Sequence, residues 1–418
     1  MNKDNGKDVM TGSAALPLAG FRILDFSRLL PGPWCTNLLA GLGAEVIKVE
    51  APEGDPSRHN PPFGTAGSIY FDGVNCNKRN IVLDLKSADD RAHADALLAK
   101  ADVVIESFRA GVADKLGIGY DHAKERNPRV IYCSISGFGR TGGLAAVPGH
   151  DLIIQALSGL LGVDGRETGE MRVPAFQAGD YAAAAFASIA ILSALVGDPA
   201  KRESRYLDIS MLDSLLAMGG INFAPALSRK SGGKGDAQIQ VWGKNPRYSI
   251  YRTADNRSVA VCLLEKGLWS GFCRKIGRAD LISSSEISSD RHSDHGGQGE
   301  AYRSAIAKYC SERTLSEHQR IMMEDSVPIA PVLTPEEVLA SSFISDRGMI
   351  ADYTHSNSGT SGQRLANPLL LVGLASMSSF AAPGMDEHSA EILQELSEPG
   401  SGGLNCTAGP VPGKGIVT

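Results

Sequence analysis

Several familiar signatures are missing from this chain of 418 residues. Its seven cysteines, at 35, 76, 133, 262, 273, 310 and 406, are odd in number and form no C-x-x-C pair. That argues against a disulfide framework and for buried thiols in a reducing compartment. Residues Met1 to Leu16 contain no apolar run ahead of a cleavage site, so a secretory signal is not expected. The most apolar stretch, Tyr181 to Val196, falls short of the roughly 20 residues of a membrane span and reads as a buried helix. A formal net charge of -6 with no clustered basic surface gives no reason to expect nucleic acid. The expectation is a cytoplasmic protein without membrane or nucleic-acid partners. Nucleophile signatures are absent too: there is no G-x-S-x-G, and no cysteine carries a nearby base signature. No internal repeat is visible.

What remains is the composition of a soluble globular enzyme, 43% hydrophobic and 21% charged. The length exceeds what one core normally serves, so two domains are expected. Short β-branched runs at Phe21–Phe26, Ala44–Val49, Asn80–Leu85, Asp102–Glu106 and Val130–Ile135 alternate with helical segments such as Trp34–Leu42 and Ala88–Lys100. Such alternation means βαβ units and a parallel sheet whose ligands lie beyond the carboxyl ends of the strands. The loops at Ser27–Pro33, Pro52–Gly64, Ser107–Gly111 and Gly137–Asp151 are therefore expected to hold the site. Ser228–Ala237 reads as a linker. Beyond it a strand from Tyr248, a turn at Ala254-Asp255-Asn256, a strand at Ser258–Leu263 and a helix at Gly267–Ile276 suggest a smaller α+β domain, with Ser283–Gly299 as an exposed loop. The resulting division is a large domain over 17–225, completed by about 325–397, and a small domain over 240–324, with flexible termini at 1–16 and 398–418.

Two motifs are decoys. Gly137-Phe-Gly139-Arg-Thr-Gly142 matches G-x-G-x-x-G, yet Pro148 keeps the following segment a loop where a dinucleotide site needs a helix. His292-Ser-Asp294-His295 has no third ligand at a recognisable spacing and sits among polar, flexible neighbours, so no metal is expected. The chemistry falls instead to imidazole and carboxylate. Gly149-His150-Asp151 and Gly179-Asp180 each follow a glycine and open an apolar, small-residue run. A ligand can approach the backbone closely there and meet a helix N-terminus. His150 has a bland alternative as a packed or capping histidine, and Asp180 one as a helix N-cap. Among the basic residues, Arg109 directly follows the strand Val103–Glu106, where an α/β sheet presents a side chain to phosphate.

At these residues the chain resembles the CaiB/BaiF family, or class III CoA-transferases, and within it the α-methylacyl-CoA racemases. The resemblance is carried by Leu24-Asp-Phe-Ser-Arg-Leu-Leu-Pro-Gly-Pro, Leu42-Gly-Ala-Glu-Val-Ile-Lys-Val-Glu, Asn77-Lys-Arg-Asn, Leu83-Asp-Leu-Lys, Ser134-Ile-Ser-Gly-Phe-Gly and Asp208-Ile-Ser-Met-Leu-Asp. It implies a large Rossmann-like domain, a small α+β domain and a homodimer of interlocked chains acting on acyl-CoA, with no cofactor beyond the CoA of the substrate. Asn77, Lys78, Arg79, Leu85, Lys86 and Arg109 match positions near CoA. Asp180 is the acid shared by both chemistries of the family. Gly149-His150-Asp151, together with Glu265 in Val261-Cys-Leu-Leu-Glu, resembles the racemase form. The expectation is thus a racemase that interconverts (R)- and (S)-2-methylacyl-CoA, with catalytic His150, Asp180 and Glu265, the last reaching in from the partner chain. The alternative is a CoA-transferase that carries CoA as a thioester on Asp180. The chain departs from the family pattern at Arg202–Asp208, where a turn is expected to change, and at Val261–Leu264, where a reshaped acyl pocket leaves the acyl group open.

Overall fold

The structure is a computed structural model and describes residues 16–162, 171–233, 244–356, 358–371 and 380–398. Apart from Leu16 and Glu398, the termini read as flexible lie outside the described residues, as does the second half of the expected linker. The chain divides into two compact units, one of Met1–Leu157, Ala175–Met218 and Phe343–Thr418, the other of Ser158–Pro174 and Gly219–Ser342.

The large unit is built on six parallel strands: β1 (Arg22–Asp25), β2 (Glu45–Glu50), β3 (Lys78–Val82), β4 (Val103–Glu106), β5 (Ile131–Ser136) and β6 (Arg205–Ser210). Their order across the sheet is β3-β2-β1-β4-β5-β6, the doubly wound Rossmann arrangement. The sheet is covered on both faces, which is why β1, β2, β4 and β5 are buried along nearly their whole length rather than at alternate residues. Against one face pack α1 (Pro31–Gly41) and, later in the chain, an 18-residue alanine-rich helix; the other carries Ala88–Lys100, whose Leu97 and Leu98 join Leu24, Ile47, Val104 and Tyr132 in one core. Each such aliphatic side chain contributes about 1.5–3 kcal/mol when fully withdrawn from water. Ile392, on the helix Ser389–Ser397, completes that core and ties the end of the chain to the sheet.

Two elements of the large unit differ from the sequence reading by more than one residue at a boundary. β3 begins at Lys78 rather than Asn80 and ends at Val82, because Asp84 turns the chain: its carboxylate accepts from the Lys86 amide and its carbonyl from the Ser87 amide. α1 begins at Pro31, three residues early, since proline suits the first helical position, where no amide hydrogen bond is lost. The alanine-rich helix, Ala178–Leu195, is long and apolar enough by length and composition to cross a membrane. Here it packs on α1 and on β5 and β6, with Ala183, Ala184, Ala187 and Ile191 fully buried.

The small unit has an antiparallel sheet of Tyr248–Arg252, Ser258–Cys262 and Ile329–Pro331, with the middle strand central. Asn256, in the left-handed region, makes the turn of its hairpin. The strand Ile329–Pro331, read from sequence as part of the returning segment, pairs with Ser258–Cys262 and belongs to this sheet. Helices Lys266–Lys275, Gly299–Ser311 and Leu315–Asp325 cover it around Trp269, Phe272, Tyr302 and Ile306. The first part of the expected linker, Ser228–Lys230, is the end of the helix Gly220–Lys230.

Candidate active site

Beyond the carboxyl ends of β1, β4 and β5 the following loops enclose a cavity of about 520 Å³ in the large unit. His150, Asp180, Tyr70, Arg109 and Arg28 supply its polar lining; Leu29, Leu30, Phe138, Val147 and Met211 supply apolar walls. No helix starts at Gly142, and the chain runs on as loop to His150, so the G-x-G-x-x-G stretch forms a wall of this cavity and not a dinucleotide cradle.

Asp180 sits in the first turn of Ala178–Leu195, two residues after its start, and so is not the N-cap. Burial, and then the charge of Asp151, push its carboxyl up from 3.8 to about 7. Tyr70, on the helix Ile69–Asn75, lines the same cavity, and burial and the Asp180 charge raise its hydroxyl well above the usual phenol range. Asp151, the first residue of the helix Asp151–Leu157, reaches across to the start of the Asp180 helix. Its Oδ1 accepts from the Gly179 amide at 2.7 Å and the Asp180 amide at 3.4 Å, and its Oδ2 from Gln155 Nε2 at 2.6 Å. One carboxylate therefore satisfies amides that the helix start would leave orphaned, and sets the electrostatics of its neighbour.

The glycines sit at close approaches, tightest at Gly179. A Cβ at Gly149 would lie 3.0 Å from the Phe138 ring, one at Gly137 would lie 3.1 Å from Gly149 Cα, and one at Gly179 would lie 2.9 Å from Ile154. The tripeptide Gly149-His150-Asp151 thus has a structural account: a tight crossing, a residue whose carbonyl accepts from the Ile153 and Ile154 amides, and a helix-spanning cap. His150 is exposed on the cavity rim.

Behind the loop Ser27–Pro33 lies a fully buried array of opposite charges. Lys78 Nζ stands 3.0 Å from Asp25 Oδ2, and Lys48 Nζ 2.8 Å from Asp55 Oδ2. Burial works against Asp25, yet Lys78 and Lys48 beside it and the Ser27 and Thr36 hydroxyls hold it down at about 2. Burial lowers Lys78 to about 8 despite Asp25. The array grips the loop backbone: Lys48 Nζ donates to the Ser27 carbonyl at 3.1 Å, and Asp55 Oδ1 accepts from the amide of Leu29, which is left-handed at φ 65°.

Of the residues expected near CoA, Arg109 lines the larger cavity, and Leu85 and Lys86 line a second one of about 260 Å³. The other three are occupied elsewhere. Lys78 is buried, donating to Asp25, Pro33 and Asn75. Arg79 is bound to Glu45 and Glu395, and Asn77, left-handed at φ 62°, exchanges hydrogen bonds with the Phe380 backbone. Glu265 belongs to the small unit, where it precedes the helix Lys266–Lys275 and lies 3.6 Å from Arg291. The structure thus brings together His150, Asp180 and Arg109. Sequence reasoning missed Tyr70 and Arg28. Arg28 had a signal, its place just after the first strand of the sheet; Tyr70 had none, since its nearness to Asp180 is purely tertiary. Among the described residues no group of three or more metal-ligating side chains occurs, His292 and His295 included.

A doubly wound α/β enzyme with a near-neutral carboxyl at the centre of its cleft is the class these features define. The chain belongs to CoA-transferase family III, whose sequence profile matches residues 18–389. It is 32% identical over 390 residues to a succinyl-CoA:mesaconate CoA-transferase of Haloarcula hispanica, covering 90% of this chain and 96% of that protein. It is 29% identical to a succinate–glutarate CoA-transferase of Agrobacterium fabrum, covering 91% and 96%. The solved structure of a CaiB/BaiF family protein from Brucella suis superposes with a TM-score of 0.78 at 26% identity, covering 92% of this chain and 100% of that one. These relatives overturn the racemase expectation: they are named as transferases. The tripeptide that suggested racemisation is accounted for by backbone packing and capping.

Proposed function

We propose that the protein is a CoA-transferase that moves CoA between carboxylic acids through a thioester on Asp180. The observation that carries this reading is the Asp180 carboxyl, raised to about 7 by burial and by Asp151 on the wall of a 520 Å³ cavity. A carboxylate of raised basicity is a better nucleophile, and near pH 7 about half of it is ionised. Attack of its oxygen on the thioester carbon of the donor forms a C–O bond and breaks the C–S bond, leaving a mixed anhydride and a CoA thiolate. The thiolate then attacks the Asp180 carbonyl and releases the donor acid as a carboxylate. An acceptor carboxylate attacks the aspartyl thioester, the thiolate returns to the acceptor's acyl carbon, and Asp180 is free again. This sequence closes without net gain or loss of a proton or electron. His150 at the rim positions the acyl carbonyl; Arg109, Leu85 and Lys86 contact the CoA. The named relatives act on small dicarboxylic acids, which makes such acids the first donors and acceptors to try. Exposed apolar residues of the large unit, among them Leu152, Ile153, Leu157, Phe176 and Ile189, support a homodimer.

The test is to incubate the protein with succinyl-CoA and a panel of carboxylic acids, following new acyl-CoA by mass spectrometry, and to treat the acceptor-free mixture with hydroxylamine. Transfer, with a hydroxamate on Asp180, is expected; Asp180→Ala should lower the rate by about a thousandfold or more. Transfer that survives Asp180→Ala, or no transfer to any acid, defeats the reading.

A further inference from the structure

The small unit has a cavity of its own, of about 580 Å³, between the helices Lys266–Lys275, Gly299–Ser311 and Leu315–Asp325, and it shares no residue with the cavity of Asp180. In a chain whose formal net charge is -6, its walls carry five cations: Lys275 and Arg278 at the end of the first helix, Lys308 on the second, Arg313 in the connection that follows and Arg320 on the third. Two carboxylates, Glu312 and Asp325, stand on the same walls. Glu312 is shared between Arg313 at 3.8 Å and Lys308 at 4.0 Å, and Asp325 pairs with Lys275. Arg278 and Arg320 pair with Asp280 and Glu324, which lie off the walls, so five cations face four carboxylates in all. Exposed pairs of this kind contribute little, and an incoming anion can replace them. Cations beside helix C-termini are favoured without any ligand, so the charges alone assign nothing. Tyr309 does. It lies on the same wall, is only 6% exposed, and among the described residues its hydroxyl has no hydrogen-bond partner. The Arg313 guanidinium carbon lies 3.8 Å from the centre of its ring, and Arg313 donates to its carbonyl at 2.7 Å, which fixes the two side chains together. Burial raises the Tyr309 hydroxyl, and the charges acting on it include Arg313, Lys275 and Asp325, all on the cavity wall, so the hydroxyl faces the cavity. A buried donor left unpaired is costly unless something accepts from it.

We propose that this cavity of the small unit binds a small molecule through a diphosphate group. Donors come from three helices and the turns beside them, and the tetrahedral oxygens of a phosphoryl group accept from several sides where a flat carboxylate accepts only near its plane. The volume lies in the range of small-molecule pockets and exceeds what a single phosphate fills. Ile276, Ala305 and Ile321 add apolar wall for a carbon skeleton. The proposal does not rest on the transferase reading.

The experiment titrates the full-length protein with pyrophosphate by calorimetry at constant ionic strength, with CoA in excess so that phosphate sites in the large unit are filled. One pyrophosphate per chain is expected, bound more tightly than orthophosphate or citrate. Tyr309→Phe keeps the ring and removes only the hydroxyl; Lys308→Gln neutralises the most exposed of the five cations. Each should weaken pyrophosphate roughly tenfold and leave CoA affinity unchanged. Without pyrophosphate, Tyr309→Phe should melt no lower than wild type, which separates lost binding from lost folding. The proposal is overturned by a wild type that does not bind pyrophosphate, by binding that either variant leaves unchanged, or by orthophosphate or citrate bound as tightly as pyrophosphate.

Discussion

The Asp180 carboxyl governs the predictions made at the scale of single residues. Because it ionises near 7 instead of 3.8, the nucleophilic form accumulates as pH rises, and kcat/KM should climb through a single ionisation centred near pH 7. Asp151→Asn removes the neighbouring charge and should move that midpoint downward, toward lower pH; an unmoved midpoint would leave burial as the sole cause. Stability follows with the opposite sign. Between about pH 4 and 7 the folded state retains a proton that the unfolded chain has released, so Asp180 detracts from stability increasingly with pH, and in full above 7. Asp180→Asn should therefore melt a few degrees above wild type at pH 8, the gap closing toward pH 4 in thermal denaturation scans. The glycine before Asp180 made the residue visible in the sequence. Its ionisation was not visible, because its burial and the approach of Asp151 arise only through tertiary packing.

At the scale of elements, the two helices that begin at Asp151 and Ala178 are locked by glycine contacts and a shared cap. Gly179→Ala places a methyl group 2.9 Å from Ile154 and 3.1 Å from Asp151 Oδ1, so something must shift. It should cost about 1–3 kcal/mol in stability, measured by chemical denaturation, and lower kcat more than it raises KM. In the β1 loop, Lys48→Met leaves Asp55 buried opposite an apolar side chain, and should cost about 3–5 kcal/mol on the same measure. Elements bounded by clear changes of composition were legible: Ala88–Lys100 has the bounds read from sequence, and Val103–Glu106 differs by one residue. Where β3 slid by two residues, the deciding interactions were hydrogen bonds made by Asp84, which apolar patterning does not report. Lys78, expected near CoA, is buried against Asp25, a partner more than fifty residues away that sequence spacing does not report.

At the scale of the molecule, the alternation of strands and helices was enough to predict a parallel sheet with its site at the carboxyl ends. The sheet order then singles out the β1–β4 boundary, which alternation alone could not, because order depends on how crossovers pack rather than on where strands lie in the chain. The exposed apolar residues on Asp151–Leu157 and Ala178–Leu195 make self-association the expected state, and light scattering should return twice the chain mass of 44.1 kDa. A monomer at micromolar concentration would remove that support. Reaction chemistry was the least legible property, since Gly149-His150-Asp151 serves packing and capping needs that do not depend on which acyl-CoA reaction follows.

The carboxylate of Asp151 is shared between architecture and reactivity, and this limits how the family can diverge. A substitution there that removes the acceptor oxygen unseats the helix that carries the nucleophile, so functional survivors of a library randomised at 151 should keep Asp or Asn, and wider changes of pH optimum should come from the cavity walls.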